Sequence, residues 1–178
     1  MFQASPHQRD MSNYPEGEIM DIRLATPKDA EIISELNKEA QQLHAEAFPN
    51  HFKSPSQETF PASFISQLLA DPDKYIFIAF SKGSPVGYIY TQIIRRAETS
   101  LRKAWDRLYI HQMSVNQAFQ RRGLGRALLQ TAMNLAKERG ISTISLDVWS
   151  FNTRAKDFYI SQGFEVFNES MWLHLGEE

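Results

Sequence analysis

Residues 107–140 restrict the fold more than any other stretch of the 178-residue chain. Arg107 to Val115 reads as a buried strand. Gly123 to Arg139 carries a helical stripe of Leu124, Leu128, Ala132, Leu135 and Ala136, which Gly140 closes. Between them lies Val115-Asn116-Gln117-Ala118-Phe119-Gln120-Arg121-Arg122-Gly123-Leu124-Gly125-Arg126. A strand that runs through a short glycine loop into an amphipathic helix belongs to layered α/β architecture, because the helix must bury its stripe on a sheet. The first amides of such a helix point outward, and its dipole favours an anion. Gly123 and Gly125 let the backbone approach a bulky polyanion, and Arg121, Arg122 and Arg126 add positive charge. That is the chemistry of a pyrophosphate site, with the identity of the ligand left open. A P-loop would need Gly-Lys-Ser or Gly-Lys-Thr, which is absent. A dinucleotide fingerprint would need a small residue where Leu128 stands.

The flanking segments extend the same architecture. Asp21 to Leu24 alternates as a strand, and Thr26-Pro27-Lys28-Asp29 opens a helix striped by Ala30, Ile33, Leu36, Asn37 and Ala40. Pro49, Pro55 and Pro61 interrupt the pattern before a second helix from about Pro61 to Leu69. Lys74 to Phe80 and Val86 to Ile94 read as a hairpin around Ser81–Pro85. Beyond Gly140, Ile141 to Val148 is a strand and Thr153 to Gln162 a helix ended by Gly163. Phe164–Phe167 and Met171–Leu175 form a closing hairpin. Residues 1–19 are polar and aperiodic and read as a flexible extension, with one domain over 20–178.

Charge and composition exclude several classes. A net charge of −2 argues against a protein built to neutralise a nucleic-acid backbone. There is no cysteine, so disulfides, zinc–thiolate sites and a cysteine nucleophile are all absent. His7, His44, His51 and His174 lack metal-ligand spacing, so no metal is expected. No apolar run is long enough for a membrane span, and a cytoplasmic location is expected. Monomer and homodimer both fit.

Gln120-Arg121-Arg122-Gly123-Leu124-Gly125 resembles the Gln/Arg-x-x-Gly-x-Gly/Ala signature of the GNAT superfamily, the acetyl-CoA-dependent N-acetyltransferases. Asn152-Thr153-Arg154-Ala155-Lys156-Asp157-Phe158-Tyr159-Ile160-Ser161-Gln162-Gly163-Phe164 is similar to the family's Asn-x-x-Ala-x-x-Phe-Tyr-x-x-x-Gly-Phe segment, at the expected distance. The order of elements from Met20 to Leu175 fits as well. The resemblance implies a mixed, mostly antiparallel sheet of about seven strands. It would be splayed between the fourth and fifth and flanked by helices on both faces.

It also implies an activity, transfer of an acetyl group from acetyl-CoA to a primary amine by direct attack in a ternary complex. By position, Met113, Ser114 and Val115 would offer backbone contacts to the pantetheine arm, with an amide near Met113 facing the thioester carbonyl. Gln120 and the residues Arg121, Arg122, Gly123, Leu124, Gly125 and Arg126 would hold the pyrophosphate, and Asn152 would touch the arm. Tyr159 matches the usual general acid for the departing thiolate. His111 falls where relatives carry a catalytic-region histidine. Tyr109, Asp147 and ordered water are further candidates to take the amine's proton. Strand alternation puts Tyr109, His111 and Met113 on one face, before any bulge. The segment from His44 to Phe64 falls where the family places its acceptor wall. The acceptor stays open, and a non-catalytic CoA-binding sensor is the alternative reading.

Overall fold

The computed structural model describes residues 20–56, 58–173 and 175–176. The expected extension over 1–19 and His174 lie outside the described residues. The chain divides into two compact units, one up to Leu146 and one from Asp147.

The first unit is a five-stranded sheet in chain order: β1 (Met20–Leu24), β2 (Lys74–Ser81), β3 (Ser84–Arg96), β4 (Trp105–Val115) and β5 (Ile144–Leu146). Neighbours run antiparallel except β4 and β5, which are parallel. Lys82 (φ 49°) and Gly83 (φ 81°) make the two-residue turn between β2 and β3. Two left-handed positions in a row match the right-handed twist of the strands. α1 (Ala30–Ala47) and α2 (Ala62–Leu69) cover one face. Ile33 of α1 and Ile65 and Leu68 of α2 pack there against Ile76, Ile78, Tyr88 and Tyr90. α3 (Leu124–Glu138) packs on β2, β3 and β4 from the other face, burying Leu128, Leu129, Ala132 and Leu135. Each fully buried Ile or Leu stabilises the fold by about 1.5–3 kcal/mol.

The entry to α1 is held by an ion pair between an exposed arginine and a buried aspartate. Arg23 grips Asp29 with both guanidinium arms (2.7 and 2.9 Å), and Asp29 also accepts from the Thr26 amide and hydroxyl. These bonds, Arg23 foremost, hold the Asp29 carboxyl far below the ordinary carboxylate range.

The second unit contains α4 (Thr153–Ser161), which Gly163 (φ 90°) ends as the Phe164 amide bonds back to the Tyr159 carbonyl.

Two expectations need correction. The sheet has five strands, not about seven, because the segments Phe164–Phe167 and Met171–Leu175 form no strand among their described residues. Alternating apolar residues are there, but a strand also needs a neighbour's ladder, and Val166, Phe167, Met171 and Leu173 are exposed instead. The fifth strand covers Ile144–Leu146 rather than Ile141–Val148. The Ile141 amide is occupied in closing α3, bonding the Ala136 carbonyl at 2.8 Å.

Gly87 of β3 sits opposite Val115 with no room for a side chain: a Cβ would lie 2.7 Å from the Ser114 carbonyl oxygen and 3.2 Å from the Val115 Cα. Both are backbone atoms and cannot swing aside. Gly87→Ala should therefore lower the unfolding free energy by about 1–3 kcal/mol. Urea denaturation with an unchanged midpoint would show that β3 and β4 approach less closely than this.

Candidate active site

The site begins with one extra residue in β4. The register with β3 passes from Thr91↔Ile110 to Tyr90↔Gln112, so His111 is the bulge. Beyond it the ladder changes phase. The Asn116 amide bonds the Val86 carbonyl at 2.9 Å, which marks Asn116 as a hydrogen-bonded position. Counting back by twos, Ser114 and Gln112 turn their backbone groups to β3, while Met113 and Val115 turn theirs away. β5 pairs with β4 only over Leu108, Tyr109 and Ile110. No strand among the described residues pairs with the outer edge of Met113 to Val115. The expected splay is this divergence within the first unit.

The bulge also corrects a face assignment. Tyr109 and His111 do share a face, with ring centroids 4.8 Å apart. Met113 instead pairs with Ile89 and so points to the opposite side. His111 is stacked on Tyr90 (4.5 Å, 15° between planes), and its Nε2 lies 2.8 Å from Gln92 Oε1. Burial of the inner part of the ring lowers its pKa, with the positive charge of Lys74 adding to the effect.

The loop that follows is ordered by its own side chains. Asn116 accepts from the Ala118 amide, and Gln120 donates from Nε2 to the Val115 carbonyl at 2.8 Å. Gln120 thus has a visible structural task. Arg121 (φ 61°) and Gly123 (φ 82°) are both left-handed, with Arg122 between them at negative φ. Such alternation turns successive N–H groups into one concavity. For Arg121 this conformation costs about 1–2 kcal/mol. Gly123 caps α3 without a side-chain bond, and the first capping-range bond into the helix is from the Ala127 amide to the Gly123 carbonyl. The amides of Leu124, Gly125 and Arg126 therefore have no acceptor inside the helix. Arg121, Arg122 and Arg126 are exposed, and the Arg122 guanidinium lies 5.5 Å from the centre of the Phe119 ring.

α1 fastens this segment from beneath. The fully buried Tyr88 hydroxyl lies 3.1 Å from Asn37 Oδ1 and 2.7 Å from Gln112 Oε1. Ser114 Oγ donates to the Leu36 carbonyl, and the Gln117 amide to Glu39 Oε2. Sequence reading did not find this network. Its one signal was Asn37, a polar residue inside an apolar helical stripe. Gln92 and Lys74 beside His111 carried no signal at all.

In the second unit, Asn152 caps α4, accepting from the Ala155 amide at 3.1 Å. Tyr159 lies seven residues on, about two turns, so both project from one side of the helix. Its ring packs between Phe158 (5.1 Å) and Phe164 (5.4 Å), and burial pushes its phenol up to about 12. Of the other candidates, Asp147 is exposed, and His44 and His51 each pack against Phe52. No group of three or more His, Asp or Glu among the described residues could hold a metal ion. No helix among them is long and apolar enough to cross a membrane.

The Acetyltransferase (GNAT) family matches residues 37–164, from Asn37 in α1 through the glycine loop to Phe164. The chain belongs to that family. An uncharacterized N-acetyltransferase from Lactobacillus delbrueckii subsp. lactis is 28% identical over 62% of this chain and 62% of its own. The [Ribosomal protein bS18]-alanine N-acetyltransferase of Escherichia coli (strain K12) is 37% identical over 33% of this chain and 40% of its own. The chain thus spans less than two thirds of the length of these curated relatives. Among solved structures, a tetramutant of the BH1408 protein from Bacillus halodurans superposes with a TM-score of 0.83 at 23% identity, covering 87% of this chain and 99% of that one. The aminoglycoside N-acetyltransferase AAC(6')-Iy in complex with CoA gives 0.66 at 19% identity, covering 90% and 97%. At these identities the superpositions speak for the GNAT fold.

Tyr88→Phe should leave the buried Asn37 and half-buried Gln112 amides short of a partner and lower stability by about 1–3 kcal/mol. It should also speed amide exchange at Gln112 and Ser114 relative to the distant β1–β2 ladder. Uniform behaviour across the sheet would mean that the network does not fasten β4.

Proposed function

We propose that this GNAT protein moves an acetyl group from acetyl-CoA to a primary amine by direct attack, in a cytoplasmic setting. The observation that carries the reading is the edge of β4 from Met113 to Val115, where no described strand pairs, running on to the first amides of α3, which have no acceptor inside the helix. An extended, amide-bearing arm can add to that edge as a strand would, with its diphosphate meeting the amides of Arg121 to Arg126. Arg121, Arg122 and Arg126 supply the countercharge. Val115 offers its outward backbone to the arm. Ser114, expected to do the same, has its backbone groups engaged toward β3. The Met113 N–H is the donor suited to the thioester oxygen.

The chemistry asks three things of the chain. The amine nitrogen forms a bond to the thioester carbon, and charge grows on the carbonyl oxygen, where an oriented N–H is worth several kcal/mol. The carbon–sulfur bond then breaks and the sulfur leaves with the electron pair. Tyr159, whose raised pKa keeps it protonated throughout the neutral range, donates a hydrogen bond or its proton to that sulfur. Asn152, on the same side of α4, contacts the arm. The attacking nitrogen must also shed a proton. His111 is neutral at physiological pH, because its pKa lies below the usual 6.5, and so is able to take it. Activity should rise with pH through that lowered pKa and fall below it as the ring charges.

The acceptor is narrowed only to a class. Relatives and fold neighbours carry the names of enzymes acting on a ribosomal-protein alanine and on aminoglycosides, so protein amines and small polyamines lead the panel to test. Incubating the protein with acetyl-CoA and such a panel should release free CoA thiol. Tyr159→Phe should cut kcat by about 100-fold or more while CoA affinity changes little. CoA binding without turnover on any amine, unaltered in Tyr159→Phe, would favour a CoA sensor instead.

A further inference from the structure

Taking a proton requires a lone pair at a defined ring atom, and His111 has two nitrogens to choose from. The ring is held on more than one side. Tyr90 stacks on its face, the Tyr109 ring meets it at 77°, and Gln92 Oε1 faces Nε2 at 2.8 Å. The two aromatic contacts set the plane of the ring, and the Gln92 contact sets which edge points where. Gln92 sits in β3 between Lys74 of β2 and Tyr109 of β4 in the register, so its side chain reaches the bulged residue diagonally.

We propose that Gln92 is a positioning residue, whose side-chain oxygen holds His111 as the Nε2–H tautomer and directs the ring's lone pair to Nδ1. An amide oxygen can only accept a hydrogen bond, so Nε2 must donate. Neutral imidazole carries one N–H, which leaves Nδ1 as the basic atom. The groups facing the ring keep it neutral. Lys74 contributes its positive charge from β2, itself tied to Asp71 at 2.9 Å. From β3, the Tyr90 phenol is pushed up to about 12 by burial and stays uncharged. From β4 come Tyr109 and, against the Tyr109 ring at 5.0 Å, the Arg107 guanidinium. No carboxylate among the described residues bonds to the imidazole, unlike the arrangement in which an acid partner stabilises imidazolium. An amine must then approach the Nδ1 edge to pass its proton on. This assignment rests on His111 being the proton acceptor proposed above.

Nitrogen-15 NMR of the His111 ring in the whole protein tests it, with the signal assigned by its loss in His111→Asn. Near neutral pH the proton should sit on Nε2 and the lone pair on Nδ1. Gln92→Glu, which offers a carboxylate to the same N–H, should raise the His111 pKa by about 1–3 units and carry the acid limb of kcat/KM up with it. A proton found on Nδ1 in the unaltered protein would overturn the assignment, since Gln92 would then be donating through its NH2. A His111 pKa that does not move in Gln92→Glu would overturn it too. If His111→Asn keeps full acetyl transfer with the same acid limb, the base reading falls, and Gln92's part in the reaction falls with it, whatever the tautomer.

Discussion

The bulge at His111 is the constraint on which the rest of the site depends. A regular β4 would keep one phase of hydrogen bonding along its length, and the edge groups would stay in step with Leu108, whose amide reaches the Thr143 carbonyl. One extra residue shifts the phase. It places Met113 and Val115 with their backbone groups outward just where β5 has ended at Leu146. The same residue turns the Met113 side chain to the face opposite the imidazole. A single irregularity in pairing thus yields both an open hydrogen-bonding edge and a titratable group beside it.

An irregular strand has to be held in its irregularity. Here α1 does so through polar contacts of unequal weight. The exposed Glu39 bond to the Gln117 amide is worth little in water, while the Asn37–Tyr88–Gln112 set, centred on a fully buried hydroxyl, is costly to leave half-made. The steric limit at Gly87 works with it by pressing β3 against the Ser114–Val115 peptide. The left-handed backbone at Arg121 belongs to the same economy, since strain of this kind persists only where surrounding contacts over-determine it. Gln120, anchored on the Val115 carbonyl, is one such contact.

Much of this was legible in the sequence, for physical reasons that differ by element. The stripe of α3 and its closure at Gly140 (φ 68°) could be read because helix periodicity and left-handed glycine are local rules. The motif residues from Gln120 to Arg126 and around Asn152 and Tyr159 were legible as a family resemblance, and the family match over residues 37–164 agrees with it. The exact site of the bulge was not, because it depends on registration with β3 across the sheet. Gln92 and Tyr88 were invisible for the same reason: each acts on a residue about 19–24 positions away. The terminal hairpin was over-read, since alternation at Phe164–Phe167 and Met171–Leu175 satisfies the strand pattern without supplying a partner.

The central claim is that the outward backbone of Met113 and Val115 receives the pantetheine arm. Residue-resolved amide hydrogen exchange, with and without saturating CoA, tests it most directly. The account predicts marked slowing at Met113 and Val115 together with the amides of Leu124 to Arg126, and little change at Gln112 and Ser114, which already face β3. CoA bound at saturation with no added protection at Met113 and Val115 would contradict it.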